Sequence, residues 1–413
     1  MLMLRFIVLM AAAAGAGMVK MLAIARILEP APFGCYVSVM GVGVFGGILL
    51  SAGGVEAATK SFPRYWDSGA TARIRAEIDR LSTALVFRCL AVLAAVVLVA
   101  AFCIDLHQIS LVVLAVVYAG SAAVVNLVAA GLRSVNHPMM LASASLWRSL
   151  AMLAAGLIGS WLGGWQGACL ADVAVMVAWI LACRRALDRI LPRNGPDEER
   201  RRSDGGAIAL YVSGLLFAAL SMLDRAAITI VAGPAIAGSY GLLGILPQSA
   251  QLLINARAQK IGPDLIRMES ETRSSVRRRM LVFEISMLAI FCSGAGFVAL
   301  LLKEAGLIDR YFRSYDISGR AILLATVAAF AQICGHLEFH LIALDRERQI
   351  LAASITSVFV LAVSLGVVAI VGPSLERVLV AAVLARGVYS LWLGLIAWQP
   401  RTGGFSSGGE NGR

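Results

Sequence analysis

Residues 30–36 read Pro-Ala-Pro-Phe-Gly-Cys-Tyr, and residues 234–240 read Pro-Ala-Ile-Ala-Gly-Ser-Tyr. Both stretches follow the pattern P-A-x-x-G-x-Y, and 204 positions separate Pro30 from Pro234. Proline and glycine commonly end one helix and open the next, which is the simpler interpretation of either stretch alone. Identical spacing at equivalent turns, each between two long apolar runs, instead favours an internal duplication of the chain.

The composition around these turns excludes a water-soluble fold. Of the 413 residues, 59% are hydrophobic and 15% are charged, with a mean hydropathy of +0.82, whereas soluble domains are about a quarter charged. Because about 20 apolar residues cross about 30 Å of hydrocarbon, we predict an all-α integral membrane protein of about twelve transmembrane helices. The predicted spans cover residues 3–27, 33–56, 82–104, 110–132, 139–161, 163–183, 206–232, 238–259, 280–302, 320–342, 349–371 and 376–398.

Neither the N-terminus nor the cysteines change this interpretation. The first apolar run follows Arg5 and contains small residues, as a cleavable signal peptide does. It continues past Lys20 to Leu28, a length that suits a first span better. The seven cysteines stand singly, without the spacing of a metal site or a disulfide framework, so no metal and no cofactor are predicted.

The distribution of basic residues predicts the orientation in the membrane. Lys and Arg concentrate in the predicted loops 57–81, 184–205 and 260–279. The connections that contain neither are 105–109, 162 and 233–237. The positive-inside rule therefore places both termini on the cytoplasmic side of the inner membrane. Loop 303–319, which has three basic residues on the predicted external side, is the exception. The net charge of +11 is explained by attraction to anionic lipid headgroups, and no nucleic-acid partner is predicted.

The displacement between the two turns also predicts the arrangement of the halves. It covers six spans and returns the chain to the same side of the membrane, so the halves are parallel six-helix repeats with the substrate site between them. We predict an N-terminal lobe at 1–203, with a cytoplasmic linker at 184–205, and a C-terminal lobe at 204–400. The Gly- and Ser-rich tail at 401–413 is predicted to be disordered.

Several ionisable residues fall inside the apolar runs. Five are basic and three are acidic: Lys20, Arg148, Arg225, Arg257, Arg386, Asp172, Asp224 and Glu338. An Arg or Lys at the centre of a spanning helix costs roughly 2.5–3.5 kcal/mol, so five facing lipid would cost on the order of 15 kcal/mol. They must therefore face a polar interior, and its net positive charge predicts an anionic, phosphate-bearing substrate. The alternative is that they form interhelical ion pairs, with Arg257 reaching toward the interface.

Within this set we distinguish two groups. The candidates for binding an anionic diphosphate or glycan are Lys20, Arg148, Arg225 and Arg386. The candidates for coupling transport to Na⁺ or H⁺ are Asp172, Asp224, His336 and Glu338. His336 and His340 share a helix face, but no third ligand for a metal is evident, and histidines near the end of a span are more often interfacial.

Motifs of enzymatic chemistry are missing from the sequence. It contains no G-x-x-x-x-G-K-S/T phosphate loop and no H-E-x-x-H zinc motif. The predicted loops are too short for the soluble domain of a glycosyltransferase or the large external loop of a polysaccharide polymerase or ligase. We therefore predict that the protein is not an enzyme.

Two stretches carry a family resemblance. Residues 25–30 (Ala-Arg-Ile-Leu-Glu-Pro), followed by 33–36 (Phe-Gly-Cys-Tyr), resemble the A-R-x-L-x-P-x-x-F-G-x-Y junction of Wzx-type polysaccharide flippases. Residues 223–225 (Leu-Asp-Arg), followed by 232–233 (Ala-Gly) and 238–240 (Gly-Ser-Tyr), resemble the seventh-helix pattern of the same family. The family belongs to the superfamily that also holds the multidrug-and-toxin exporters (MATE transporters) and the lipid II flippases.

The resemblance implies a MATE-like, two-lobed bundle that exposes a central cavity to each side of the membrane in turn. The implied cargo is an undecaprenyl-diphosphate-linked oligosaccharide, delivered from the cytoplasmic to the periplasmic leaflet. The implied partners are this lipid-linked substrate, the membrane lipids and other membrane proteins of polysaccharide assembly. A multidrug exporter is the alternative on the same fold, although it would need an acidic cavity for cationic drugs. A membrane polysaccharide polymerase or ligase is the alternative from another class.

Overall fold

The computed structural model describes residues 2–103, 106–135, 138–192, 211–212, 214–216, 218–248, 270–331, 341 and 346–398. Every regular element in these ranges is a helix. In chain order the α-helices are α1 (Leu2–Ile27), α2 (Pro30–Ser51), α3 (Gly54–Asp67), α4 (Thr71–Cys103), α5 (Leu106–Ser134), α6 (Pro138–Ile190), α7 (Asp224–Ala232), α8 (Pro234–Leu243), α9 (Ser270–Glu304), α10 (Leu307–Tyr311), α11 (Gly319–Ala331), α12 (Glu347–Val371) and α13 (Leu375–Trp398). A π-helical turn, Ala219–Leu223, leads directly into α7.

The helices carry their apolar side chains outward as well as inward, as a membrane protein does. Within the described ranges, eight stretches are long and apolar enough to cross a membrane. Ile230, Ile370 and Trp161 are among many large apolar side chains that point away from the bundle. Helices occupy most of the described residues of all twelve predicted spans. The protein is therefore a multi-pass, membrane-embedded helical bundle.

The region predicted as loop 57–81 is helical instead. The second span ends at Ser51, because Ala52 and Gly53 adopt left-handed backbone conformations with φ of 46° and 80°. Helix α3 then buries Ala58 and Phe62 against the N-terminal half and turns its polar residues outward. A hydropathy average misses such a helix because its apolar residues occupy one face only. The next helix likewise begins at residue 71, not 82, and α6 continues to residue 190, inside the predicted linker.

Helix α6 is a tight helical hairpin that contains two of the predicted spans. The backbone leaves the helical conformation at Gly163 and Gly164, and Gly164 has φ of 59° and ψ of −144°, a conformation that glycine adopts readily. The arms then pack so closely that a Cβ on Gly159 would overlap the carbonyl oxygen of Gly167. The Trp179 indole N–H donates to the Ala144 carbonyl across the hairpin at 2.8 Å. This turn is the connection predicted at residue 162.

The duplicated P-A-x-x-G-x-Y stretches form the junction between the two halves. Helices α2 and α8 both begin with their proline in the first turn, where the missing N–H leaves no hydrogen bond unmade. The two helix starts then contact each other reciprocally. A Cβ on Gly34 would overlap the Pro234 carbonyl, and a Cβ on Gly238 would overlap the Pro30 carbonyl. The repeat therefore lets the halves approach backbone to backbone on either side of a local two-fold axis.

Candidate functional site

A cluster of buried polar side chains joins three helices of the N-terminal half. The Lys20 ammonium, from α1, lies 2.6 Å from both carboxylate oxygens of Asp172, from the second arm of α6. The Tyr36 hydroxyl, from α2, donates to Asp172 Oδ2 at 2.8 Å. Lys20 is 4% exposed and Asp172 is fully buried. We call these three residues the N-terminal cluster.

Local packing fixes the geometry of this cluster. Lys20 Nζ lies 5.7 Å from the centre of the Tyr36 ring, within the range of a cation–π contact. Gly156, on the first arm of α6, leaves room for the pair, because a Cβ there would lie 3.3 Å from Lys20 Cε and 3.7 Å from Asp172 Oδ1. The hairpin therefore holds the carboxylate on one arm and clears space for the lysine on the other.

A second cluster of the same type lies in the C-terminal half. Asp224, the first residue of α7, accepts a hydrogen bond on Oδ2 from the Tyr240 hydroxyl of α8 at 2.5 Å. The same oxygen accepts one from Arg386 Nη2, on α13, at 2.9 Å. Asp224 Oδ1 accepts from the backbone N–H of Arg225 at 2.8 Å. We call these four residues, all at most 7% exposed, the C-terminal cluster.

Arg225 adds a second cation to the C-terminal cluster. Its guanidinium faces the Gln248 carboxamide, whose oxygen, when turned toward the donors, accepts from Nη2 and, at 3.1 Å, from Nη1. The π-helical turn Ala219–Leu223 lies directly before Asp224 and Arg225. Such turns within helices are frequent at functional sites. Gly41 of α2 permits the close approach of this turn, because a Cβ there would overlap the Met222 carbonyl.

The two clusters occupy equivalent positions in the repeat, with the charges exchanged. The displacement of 204 that relates the two turns also relates Lys20 to Asp224 and Tyr36 to Tyr240. Asp172 corresponds to Arg386, on the last helix of each half, with a displacement of 214. Each half therefore links its first, second and last predicted spans through a tyrosine and an ion pair. The first span supplies the cation in one half and the carboxylate in the other.

The remaining predicted site residues lie elsewhere. Arg148, on the first arm of α6, stacks on Trp179 of the second arm, with 5.1 Å between its guanidinium carbon and the ring centre. His336, Glu338 and Arg257 lie outside the described residues. Among the residues that the structure describes, no group of His, Cys, Asp and Glu is arranged to hold a metal ion.

The structure thus brings Lys20 to Asp172 and Arg386 to Asp224, and it places Arg148 apart from both pairs. The sequence predicted burial of these charges and left interhelical ion pairing open as the alternative, but it did not predict which residues pair. The two tyrosines were not predicted as site residues, although both belong to the duplicated stretch. Extending the 204-residue displacement back to Lys20 and Asp224 is the sequence signal that relates the two clusters.

Comparisons with known proteins identify the fold. No family model matches the sequence, and no curated protein matches it. Solved structures do match along almost the whole chain. The Vibrio cholerae MATE transporter VcmN in the bent form is 14% identical, with a TM-score of 0.65 over 95% of each chain. A multidrug resistance MATE family transporter of the MOP superfamily, in an outward-facing conformation, is 14% identical with a TM-score of 0.64, again over 95% of each chain.

The fold is that of the MATE transporters. The predicted all-α, two-lobed MATE-like bundle is therefore confirmed. A further match is a MOP superfamily transporter from Pyrococcus furiosus, 14% identical with a TM-score of 0.53 over 95% of this chain and 94% of that one. Its binding pocket is described as having reverse polarity, which suggests a different function for that protein.

Proposed function

We propose that this protein is a transporter that moves an undecaprenyl-diphosphate-linked oligosaccharide from the cytoplasmic to the periplasmic leaflet of the inner membrane. The observation that carries the proposal is the excess of cations among the buried charges of the residues that the structure describes. The clusters bury three cations and two carboxylates, which leaves one positive charge, and the half-buried Arg148 adds a second. The residues concerned are Lys20, Arg225, Arg386, Asp172, Asp224 and Arg148.

A diphosphate group suits such a lining. Guanidinium groups grip phosphate oxygens with paired donors, and charge-assisted hydrogen bonds of this kind are about twice as strong as neutral ones. Arg225 and Arg148 are the first candidates because neither forms the direct carboxylate contact seen for Lys20 and Arg386. Lys20 and Arg386 would join them only after leaving Asp172 and Asp224. These two carboxylates are then free to bind H⁺ or Na⁺ as coupling ions.

The two-lobed architecture supports movement of such a cargo. In transporters built from repeats, substrate sites lie at the repeat interface, and access alternates as one repeat rocks against the other. Here the halves meet at the glycine junction of α2 and α8. Arg225 lies on α7, a helix that also reaches α2 through the Ser38 and Thr229 hydroxyls, 2.6 Å apart.

A multidrug exporter is the second candidate, favoured by the MATE transporters among the structural neighbours. A cationic drug would require a carboxylate free of internal partners. Asp172 and Asp224 are instead each in contact with a cation and a tyrosine. The neighbour whose pocket has reverse polarity supports the idea that this fold can serve other cargo than that of the multidrug exporters.

The test is the leaflet location of lipid-linked glycan in a strain that lacks this protein. Intact and permeabilised spheroplasts are labelled with a sugar-specific reagent. We expect complete lipid-linked repeat units that are labelled only after permeabilisation, and complementation should restore labelling of intact cells. Single repeats that reach the outer leaflet but are not polymerised or transferred would indicate an enzyme. A normal glycan, together with increased drug sensitivity, would indicate the exporter.

A further inference from the structure

The two clusters differ in their balance of charge. In the N-terminal cluster, one cation, Lys20, faces one carboxylate, Asp172. Among the described residues, the C-terminal cluster has two cations, Arg225 and Arg386, and one carboxylate, Asp224, which only the Arg386 guanidinium contacts. Both arginines are more than nine-tenths buried. Keeping an excess charge inside a membrane protein is costly, and intramembrane charges usually mark a substrate or ion path. The charges of the N-terminal cluster balance, but the C-terminal cluster contains one cation in excess. This excess cation requires an explanation.

The Asp224 carboxylate sits among donors that also suit a phosphate. Its two oxygens accept from a guanidinium, a tyrosine hydroxyl and a backbone N–H, at distances between 2.5 and 2.9 Å. Arginine side chains and hydroxyl groups are suitable donors to phosphate oxygens, and arginine can form paired, charge-assisted hydrogen bonds with them. In the N-terminal cluster, Asp172 accepts only from Lys20 and Tyr36 among the described residues.

We propose that Asp224 is a built-in competitor for an anion site formed by Arg225, Arg386 and Tyr240. A phosphate or diphosphate group binds there when the Asp224 side chain turns away. The inference rests on the proposed anionic cargo, and it assigns the diphosphate contact to the C-terminal half. The π-helical turn before Asp224 gives the helix a place to shift, because it can convert to α-helical hydrogen bonding.

A transporter must release its cargo as well as bind it, and the Asp224 carboxylate would help it to do so. Without cargo, two arginines would face each other in a site of low dielectric, and Asp224 offsets part of that repulsion. With cargo, the carboxylate lowers the apparent affinity, since the site is open only for a fraction of the time. If the open state is populated about 1% of the time, the apparent dissociation constant rises about 100-fold. The cargo can therefore be released on the other side.

Anion binding to the purified full-length protein in detergent tests the proposal. The variant Asp224→Asn keeps the shape of the side chain but removes the competing charge. Glu77→Gln is the matched control, because it removes the same charge and frees Arg80, a cation on the surface outside both clusters. The probe is inorganic pyrophosphate, measured by isothermal titration in a buffer free of phosphate.

We expect Asp224→Asn to bind pyrophosphate at least tenfold more tightly than the wild type, and Glu77→Gln to bind it as the wild type does. Adding Arg386→Gln to Asp224→Asn should abolish the gain. The proposal is overturned if Asp224→Asn gains no affinity, if Glu77→Gln gains equally, or if the gain survives Arg386→Gln. Geranylgeranyl diphosphate is titrated in parallel. Tighter binding of this lipid indicates a lipid-linked ligand, and equal binding indicates a free phosphate compound at the same site.

If Asp224→Asn does not fold, a second measurement tests the proposed anion site. Millimolar pyrophosphate should raise the unfolding temperature of the wild type and of Arg80→Gln, a variant of an exposed arginine outside both clusters, but not that of Arg386→Gln. Equal stabilisation of Arg386→Gln would overturn the site. The outcome is independent of the leaflet assay: an anion site in a protein whose loss leaves glycan unaffected would refute the proposed cargo and leave the site standing.

Discussion

Lys20 and Asp172 depend on each other, because each is buried and finds its opposite charge in the other. We predict that Lys20→Met lowers the stability of the detergent-solubilised protein by about 3–5 kcal/mol, the usual cost of leaving one member of a buried pair uncompensated. Adding Asp172→Asn should restore most of the loss, since the amide carries no charge and its oxygen still accepts from Tyr36.

Denaturant unfolding of the single and double variants measures this coupling. Arg80→Met serves as control, because its salt bridge with Glu77 is exposed and worth little. If the double variant is no more stable than Lys20→Met, the ion pair does not account for the burial of these charges.

At the scale of residues, the sequence predicted which charged side chains are buried better than it predicted their ion-pair partners. The cost of a charge in hydrocarbon is local, so the position of Lys20 or Arg386 within an apolar run already predicts a polar surrounding. Pairing depends on which helices touch, and Asp224 and Arg386 are 162 positions apart. The seventh and twelfth spans meet only in the folded bundle. The cation of one cluster corresponds to the carboxylate of the other, so a search for identical residues in the two repeats does not find these positions.

At the scale of helices, the junction of α2 and α8 depends on two glycines. We predict that Gly34→Ala and Gly238→Ala each destabilise the protein by about 1–3 kcal/mol or more, as overpacking does. In each case the new methyl group would overlap a backbone carbonyl, which has no rotamer by which to move aside.

Thermal unfolding of the purified variants measures the effect. Gly17→Ala in α1 is the matched control, since no atom lies within 4 Å of its Cβ position. There alanine should leave the unfolding temperature unchanged or raise it, because alanine stabilises a helix by about 1 kcal/mol relative to glycine. Unfolding of Gly34→Ala at the wild-type temperature would show that the halves do not meet at this point.

Hydropathy predicted the spans because their signal is summed over about 20 residues. It did not predict α3, whose burial depends on one face, nor the extension of α4 to Thr71. The duplicated turn did predict which loops correspond. The contact between these two turns could not be predicted from their spacing in the sequence. Two equivalent turns can lie at any distance from the two-fold axis that relates them, and they touch only if they lie close to it.

At the scale of the whole molecule, a single side chain ties the loop between α10 and α11 to the other half. The Tyr315 hydroxyl is shared between the carbonyl oxygens of Ala25, at 2.9 Å, and Leu28, at 3.1 Å. These carbonyls lie at the C-terminal end of α1, where helices leave acceptors unpaired. The Tyr315 ring also packs edge-on against Phe33, with 6.1 Å between ring centres. This contact lies on the same side as the glycine junction and closes the halves there.

We predict that Tyr315→Phe loosens this closure while keeping the ring in place. The loss of the shared hydrogen bond leaves buried carbonyls unsatisfied and should cost about 1–3 kcal/mol. The native Cys35, half-buried at the start of α2 between Gly34 and Tyr36, reports on the opening. Its rate of modification by a maleimide, followed by peptide mapping, should rise severalfold in Tyr315→Phe. Tyr311→Phe, an exposed tyrosine in α10, should leave the rate unchanged. Equal rates in both variants would mean that the hydroxyl does not hold the halves together, and the glycine junction alone would then have to close this side of the molecule.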